Sequence, residues 1–342
     1  MLLTRWPQGV RWLVAIGAGL ALGQGLGLLH LPAAAMVGPM VAGAAVALAG
    51  GRLYVAPQLS QMGQGVAGCL IALNLDAGAL RQTLAIWPVV LVFVALTFAV
   101  ACLSGLAASR WTRLGREVTL WGFLPGMMGT IIALAHERGL DSRMIALIQI
   151  LRLMLVIAAM VVVAAGISGP APPPAHAGSP AIAVALAALG VAAARWLPRI
   201  PAAATLVPLS LATVLVLNGV ALAVPGWLVA LAFLAIGLQV GLRFTPDLLR
   251  QGLVALPGLC AACLLLIGLC GASGLALSRI AGVGVMTGML ATVPGSIDSI
   301  AILAIGAGAD VAFVMTLQTV RLFAVVIFGP ILASAIARWM DR

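Results

Sequence analysis

This sequence predicts an all-α polytopic membrane protein of 10–12 membrane elements. It reads as two inverted repeats of about five spans each, plus a broken or re-entrant Pro-Gly helix per repeat. Three observations carry that reading. Of the 342 residues, 63% are hydrophobic and 8% charged, and the mean hydropathy is +1.22; a soluble domain carries roughly a quarter charged residues. Many residues recur at a constant offset of 169. Each copy also places a helix-breaking pair in apolar surroundings, Leu124-Pro125-Gly126-Met127-Met128-Gly129-Thr130 and Val293-Pro294-Gly295-Ser296-Ile297-Asp298-Ser299.

The apolar elements of the first half fall near 10–29, 33–50, 58–75, 83–107, 118–137 and 143–166. Those of the second fall near 180–197, 202–222, 226–243, 252–277, 284–306 and 312–337. Several reach the ~20 residues that a spanning helix needs. The duplication rests on residue types that an Ala/Leu/Gly-rich composition does not match by chance. Pro32-Ala33-Ala34-Ala35 returns as Pro201-Ala202-Ala203-Ala204, Arg81-Gln82 as Arg250-Gln251, and Ser104-Gly105-Leu106 as Ser273-Gly274-Leu275. Pro125-Gly126 pairs with Pro294-Gly295, Asp141 with Asp310, Gln149 with Gln318, and Arg152-Leu153 with Arg321-Leu322. Residues 1–168 and 179–342 are therefore the two repeat units, joined by a Pro-rich linker over 169–178 of the semi-rigid kind.

Arginine positions bear on topology, because cytoplasmic loops collect Lys and Arg. With twelve spans, the 16 arginines other than Arg152 and Arg321 split nine inside to seven outside. If each Pro-Gly element dips in and returns, fourteen lie inside and only Arg81 and Arg279 outside. Five spans per half is an odd number, so the halves are inverted. A crossing, unwound helix at the same place is the alternative.

The formal charge of +10 comes from 18 Arg and no Lys. These charges are too dispersed for a nucleic-acid-binding face and suit loops against anionic headgroups. The first span follows a short Arg-containing leader without an evident cleavage site, so it is expected to be retained. Cys69, Cys102, Cys260, Cys263 and Cys270 lie in apolar runs. They read as small core residues, not as a metal site or disulfide.

Freed backbone in hydrocarbon must be buried in protein or line a watery cavity. Paired broken helices at membrane depth point to a transporter's binding site. Arg152 and Arg321 each lie about nine residues into the last span of their half, roughly 14 Å along a helix. An arginine at that depth is costly, about 2.5–3.5 kcal/mol on insertion scales. It either binds a ligand or ties down the carbonyls freed by the break. Gln149 and Gln318 stand three residues earlier, on the same helix face. Asp298 is an acid inside an apolar element, opposite Gly129 in the first half; it could take a coupling proton, help bind Na⁺ or pair with an arginine. Ser296, Ser299 and Thr130 add hydroxyls at the breaks. Asp141 and Asp310 each follow Gly-x and precede the last helix, which suits capping. His30, His136 and His176 read as loop residues.

Pro-Gly, then Gly-x-Asp, then Gln-x-x-Arg-Leu, duplicated in a hydrophobic chain, resembles the AbrB-type bacterial membrane protein family. Gly308-Ala309-Asp310 and Gln318-Thr319-Val320-Arg321 are close matches to that family's segments. The second Gly of its Pro-Gly-Gly is Met127 in one half and Ser296 in the other. Members carry labels such as ammonia monooxygenase or transcriptional regulator. The family also looks like a distant relative of the cation/proton antiporter and anion transporter superfamily. The resemblance implies inverted repeats and secondary transport, and leans toward crossing helices.

Two arginines against one acid suggest an anionic small-molecule substrate, driven by H⁺ or Na⁺, with no other cofactor. Three dispersed histidines do not supply the clustered ligands of copper or iron oxygen chemistry, so no enzyme is expected. A membrane regulator acting indirectly on expression is the alternative. The expected setting is the bacterial inner membrane, with the bilayer and a small molecule as partners, no nucleic acid, and a homodimer as the pairing many such carriers adopt.

Overall fold

The computed structural model describes residues 6–29, 31–75, 78, 81, 83, 85–125, 131, 135, 139–167, 179–198 and 200–340. The linker over 169–178, Gly126, Thr130 and all three histidines lie outside these residues. The regular elements described are helices. In the first half they are α1 (Gln8–Leu28), α2 (Ala34–Leu48), α3 (Pro57–Leu73), α4 (Trp87–Trp111), α5 (Arg116–Phe123) and α6 (Ser142–Ile167). The second half has α7 (Pro180–Trp196), α8 (Ala203–Leu217), α9 (Gly226–Gly241), α10 (Pro246–Gly252), α11 (Leu256–Ala281), α12 (Val285–Thr292), α13 (Ile297–Gly306) and α14 (Val311–Met340).

Local chemistry sets several of these boundaries. Proline occupies the first turn of α3, α4, α7 and α11, where its missing N–H would have had no partner. Pro39 and Pro208 instead sit inside α2 and α8. Each of those helices starts from a left-handed alanine, Ala33 at φ 56° and Ala202 at φ 50°. Gly50 and Gly219 share a positive φ, as do Gly139 and Gly308. All three pairs are 169 residues apart. The short α10 was not anticipated from hydropathy; it is a polar turn carrying Asp247 and Arg250. Among the described residues, four helices, α1, α4, α6 and α11, are long and apolar enough to cross a membrane.

The chain forms two compact units, and neither is a sequence half. The first contains Met1–Ala79, Val161–Pro246 and Asp298–Ala312; the second contains Leu80–Met160, Asp247–Ile297 and Phe313–Arg342.

In the first unit α2 packs against α1 and α9, while α3 packs against α7, α8 and α9. A methyl group at Gly68 would stand 2.6 Å from the Thr205 carbonyl oxygen, and Gly237 lies just as tightly against the Met36 carbonyl. The second contact is the first with its partners exchanged at the 169-residue spacing. Gly63 meets Ala232, its own counterpart. One cluster of the core joins Ala15, Val46, Ala47, Leu53, Val55, Leu238 and Leu242.

In the second unit α4 and α11 run antiparallel, with Gly258 near the start of α11 against the Trp111 carbonyl that ends α4. α5 folds back along α4, Gly105 facing Leu120, and α12 folds back along α11 through the equivalent Gly274 and Met289. Gly252, one turn before α11, lies against Leu147 and beside Met144 in the first turns of α6. Trp121, Leu124, Ile131, Ala135 and Ile145 make a core cluster here.

Candidate functional site

Both helix breaks belong to the second unit. α12 ends at Thr292, residues 293–296 are not helical, and α13 begins at Ile297. α5 likewise ends at Phe123, with Pro125 buried behind it. The Thr292 hydroxyl donates to the carbonyl of Cys270 at 2.9 Å, near the middle of α11. The second break therefore opens about halfway along a membrane-length helix.

A helix that stops there leaves its last four carbonyls without intrahelical partners, and hydrocarbon offers none. Side chains from α14 fill the gap. Gln318 donates Nε2 to Leu290 O at 2.8 Å and to Val293 O at 3.2 Å. Arg321 donates Nη1 to Val293 O at 2.9 Å and Nη2 to Gly295 O at 3.0 Å. Arg321 Nη2 also donates to Gln318 Oε1, which fixes the amide's orientation, and Thr97 Oγ1 lies 3.4 Å from the carbonyl of Thr292. A cation at the carbonyl end of a helix suits its dipole. The planar guanidinium serves two carbonyls at once, which a lysine ammonium does less well.

The first break is tied differently. Arg152 donates Nη1 to Phe123 O at 2.7 Å and to Leu124 O at 3.0 Å. Gln149 is only 2% exposed, yet neither Nε2 nor Oε1 has a hydrogen-bond partner among the described residues, and Arg152 Nε is likewise unpartnered. A buried polar group left in this state costs about 1–3 kcal/mol. Arg152 (7% exposed) and Arg321 (6%) are buried, and they lie within electrostatic reach of each other and of Cys270. Their hydrogen-bond partners are carbonyls and one amide, all neutral.

Asp298 belongs to the first unit, in the first turn of α13. It is thus at the beginning of a half-helix, not in mid-element as the hydropathy suggested, because the break extends through Ser296. Its carboxylate accepts a hydrogen bond from the Thr205 hydroxyl, so its observed partner is a hydroxyl and not an arginine. Ser299 is buried and Ser296 half-buried. Asp141 caps α6 through backbone bonds from Arg143 and Met144, both 3.1 Å to Oδ1.

Thr205 and Thr292 were not singled out from sequence. Thr205 stands where the first half has Met36, just as Asp298 stands opposite Gly129. Two polar departures confined to one half were the available signal.

A family described as "Transition state regulatory protein AbrB" matches residues 35–337. "Putative regulator AbrB" of Escherichia coli (strain K12) is 31% identical over 346 residues, covering 97% of this chain and 98% of the relative. No solved structure matches. Apolar helices of membrane length, the duplicated Pro-Gly and Gln-x-x-Arg segments, and these two matches agree: the chain belongs to the AbrB family.

Proposed function

We propose that this protein is a secondary active carrier for a small anionic metabolite. An H⁺ or Na⁺ gradient drives it, and access alternates around a site at the Pro-Gly breaks. The observation that carries the reading is the pair of helix ends, at Phe123 and Thr292, in one compact unit, each with a buried guanidinium on the carbonyls freed there. Such interruptions are the usual way a carrier places polar backbone at membrane depth. Asp298 with Thr205 is the candidate for the coupling ion.

An inverted arrangement of the two halves belongs to the same reading. α4 and α11 are counterparts at the 169-residue spacing and run antiparallel, as an odd number of crossings per half requires. The first Pro-Gly element is re-entrant in this reading. Gly252 against Leu147 puts the first turns of α6 at the end of the unit where α4 finishes and α5 starts. A crossing element would deliver α6 to the far end, roughly 30 Å away. The same end holds Arg110, Arg113, Arg116, Arg143 and Arg250, which makes it cytoplasmic by the positive-inside rule.

Uptake of organic and inorganic anions into proteoliposomes, under imposed H⁺ or Na⁺ gradients, tests the proposal. Gradient-dependent accumulation that Asp298→Asn uncouples is the expected result. A protein that accumulates no anion under either gradient would overturn it. The second reading is a membrane regulator acting indirectly, and it rests on the regulator name of the Escherichia coli relative.

A further inference from the structure

The two Gln-x-x-Arg segments are the same by sequence and unequal by structure. Every polar atom of the Gln318 side chain is engaged, Nε2 on two carbonyls and Oε1 on Arg321. Gln149, its counterpart, is buried with both polar atoms unpartnered among the described residues, and so is Arg152 Nε three residues on. Buried polar groups in native proteins are hydrogen-bonded with few exceptions, and an exception calls for a missing partner. Three residues apart on α6, Gln149 and Arg152 share a face. Their open valences are N–H groups from both side chains and one amide oxygen. The field there is positive, with the guanidinium of Arg321 within electrostatic reach, and the partners both arginines already have are uncharged. Donors in excess and uncompensated positive charge select an oxyanion. The amide oxygen asks that the same ligand also bring a hydrogen to donate.

We infer that Gln149 and Nε of Arg152 form the ligand-recognition pair of the first half, taking an oxyanion that carries its own hydroxyl or N–H donor, such as a 2-hydroxy acid. Gln318 and Arg321 are the framework version of the same pair. This rests on the carrier reading for its physiological meaning, although binding can be tested without transport.

Purified full-length protein is titrated with glycolate and with acetate, which differ by one hydroxyl, and thermal unfolding is followed in detergent. Glycolate is expected to raise the midpoint at concentrations about tenfold below those acetate needs. Gln149→Leu should abolish that preference and weaken glycolate binding at least tenfold, while its ligand-free midpoint holds or rises because an unpartnered amide is gone. Gln318→Leu should lower the ligand-free midpoint. If neither oxyanion shifts the wild-type midpoint, Gln149 holds water only and the inference fails. It fails equally if Gln149→Leu responds to glycolate as wild type does. Glycolate binding that depends on Gln149, without accumulation in vesicles, would sink the carrier reading and leave the site standing. Accumulation unaffected by Gln149→Leu would do the reverse.

Discussion

The breaks after Phe123 and after Thr292 share one sequence pattern, yet their described carbonyls are held differently. At the second, Gln318 and Arg321 together make four hydrogen bonds to Leu290, Val293 and Gly295. At the first, where 126–130 lie outside the described residues, Arg152 makes two among the described ones, to Phe123 and Leu124, and Gln149 contributes none. The pattern thus occurs in two copies, and among the described residues only one copy is saturated. The unsaturated copy is where polar capacity is left over for something else.

Removing the guanidiniums should expose this difference most sharply. Arg321→Ala strips two carbonyl contacts, to Val293 and Gly295, and leaves the Gln318 amide unsupported. It should destabilise the protein by about 3–5 kcal/mol or prevent folding, read as loss of a monodisperse species and of cooperative unfolding. Arg152→Ala should cost less, about 2–3 kcal/mol. Equal losses at the two sites would mean that the two breaks are held alike.

A smaller effect is expected at the polar pair found only in the second half. Thr205→Val takes away the hydroxyl that Asp298 accepts from, and Asp298→Asn takes away the carboxylate. A double-mutant cycle on unfolding should return about 1 kcal/mol of coupling between them. Additive single effects would show that the hydroxyl–carboxylate contact carries no energy. Smallest is the cap of α6: Asp141→Ala gives up two backbone bonds and should cost about 1 kcal/mol, measured as a shift in the urea or thermal midpoint of the detergent-solubilised protein. No change would place the start of α6 under tertiary control instead.

Much of this was readable in advance, because it is written in residues whose backbone chemistry is local. Proline and glycine announce a helix interruption wherever they stand in an apolar run: α5 ends at Phe123, just before Pro125, and residues 293–296, which hold Pro294-Gly295, are not helical. Gly-x-Asp before the last helix announced a cap, and Asp141 is one. The left-handed Ala33 and Ala202 were visible only as members of a repeated Pro-Ala-Ala-Ala string, since alanine gives no warning of a positive φ. What could not be read depends on which carbonyl a long side chain reaches. Gln149 and Gln318 occupy equivalent positions in equivalent words, and their different fates are set by neighbours distant in sequence. The pairing of Asp298 with Thr205 spans 93 residues, and periodicity has no access to that distance. Nor does hydropathy reveal that the compact units are sewn from both halves.

That sewing has a consequence for biogenesis. The first unit needs Asp298–Ala312 and the second needs Phe313–Arg342, so both remain unfinished until the last few dozen residues leave the ribosome. Domains of many proteins fold in turn during synthesis; here neither can close early. A chain interrupted just before α13 would therefore present two incomplete bundles at once to the insertion and quality-control machinery.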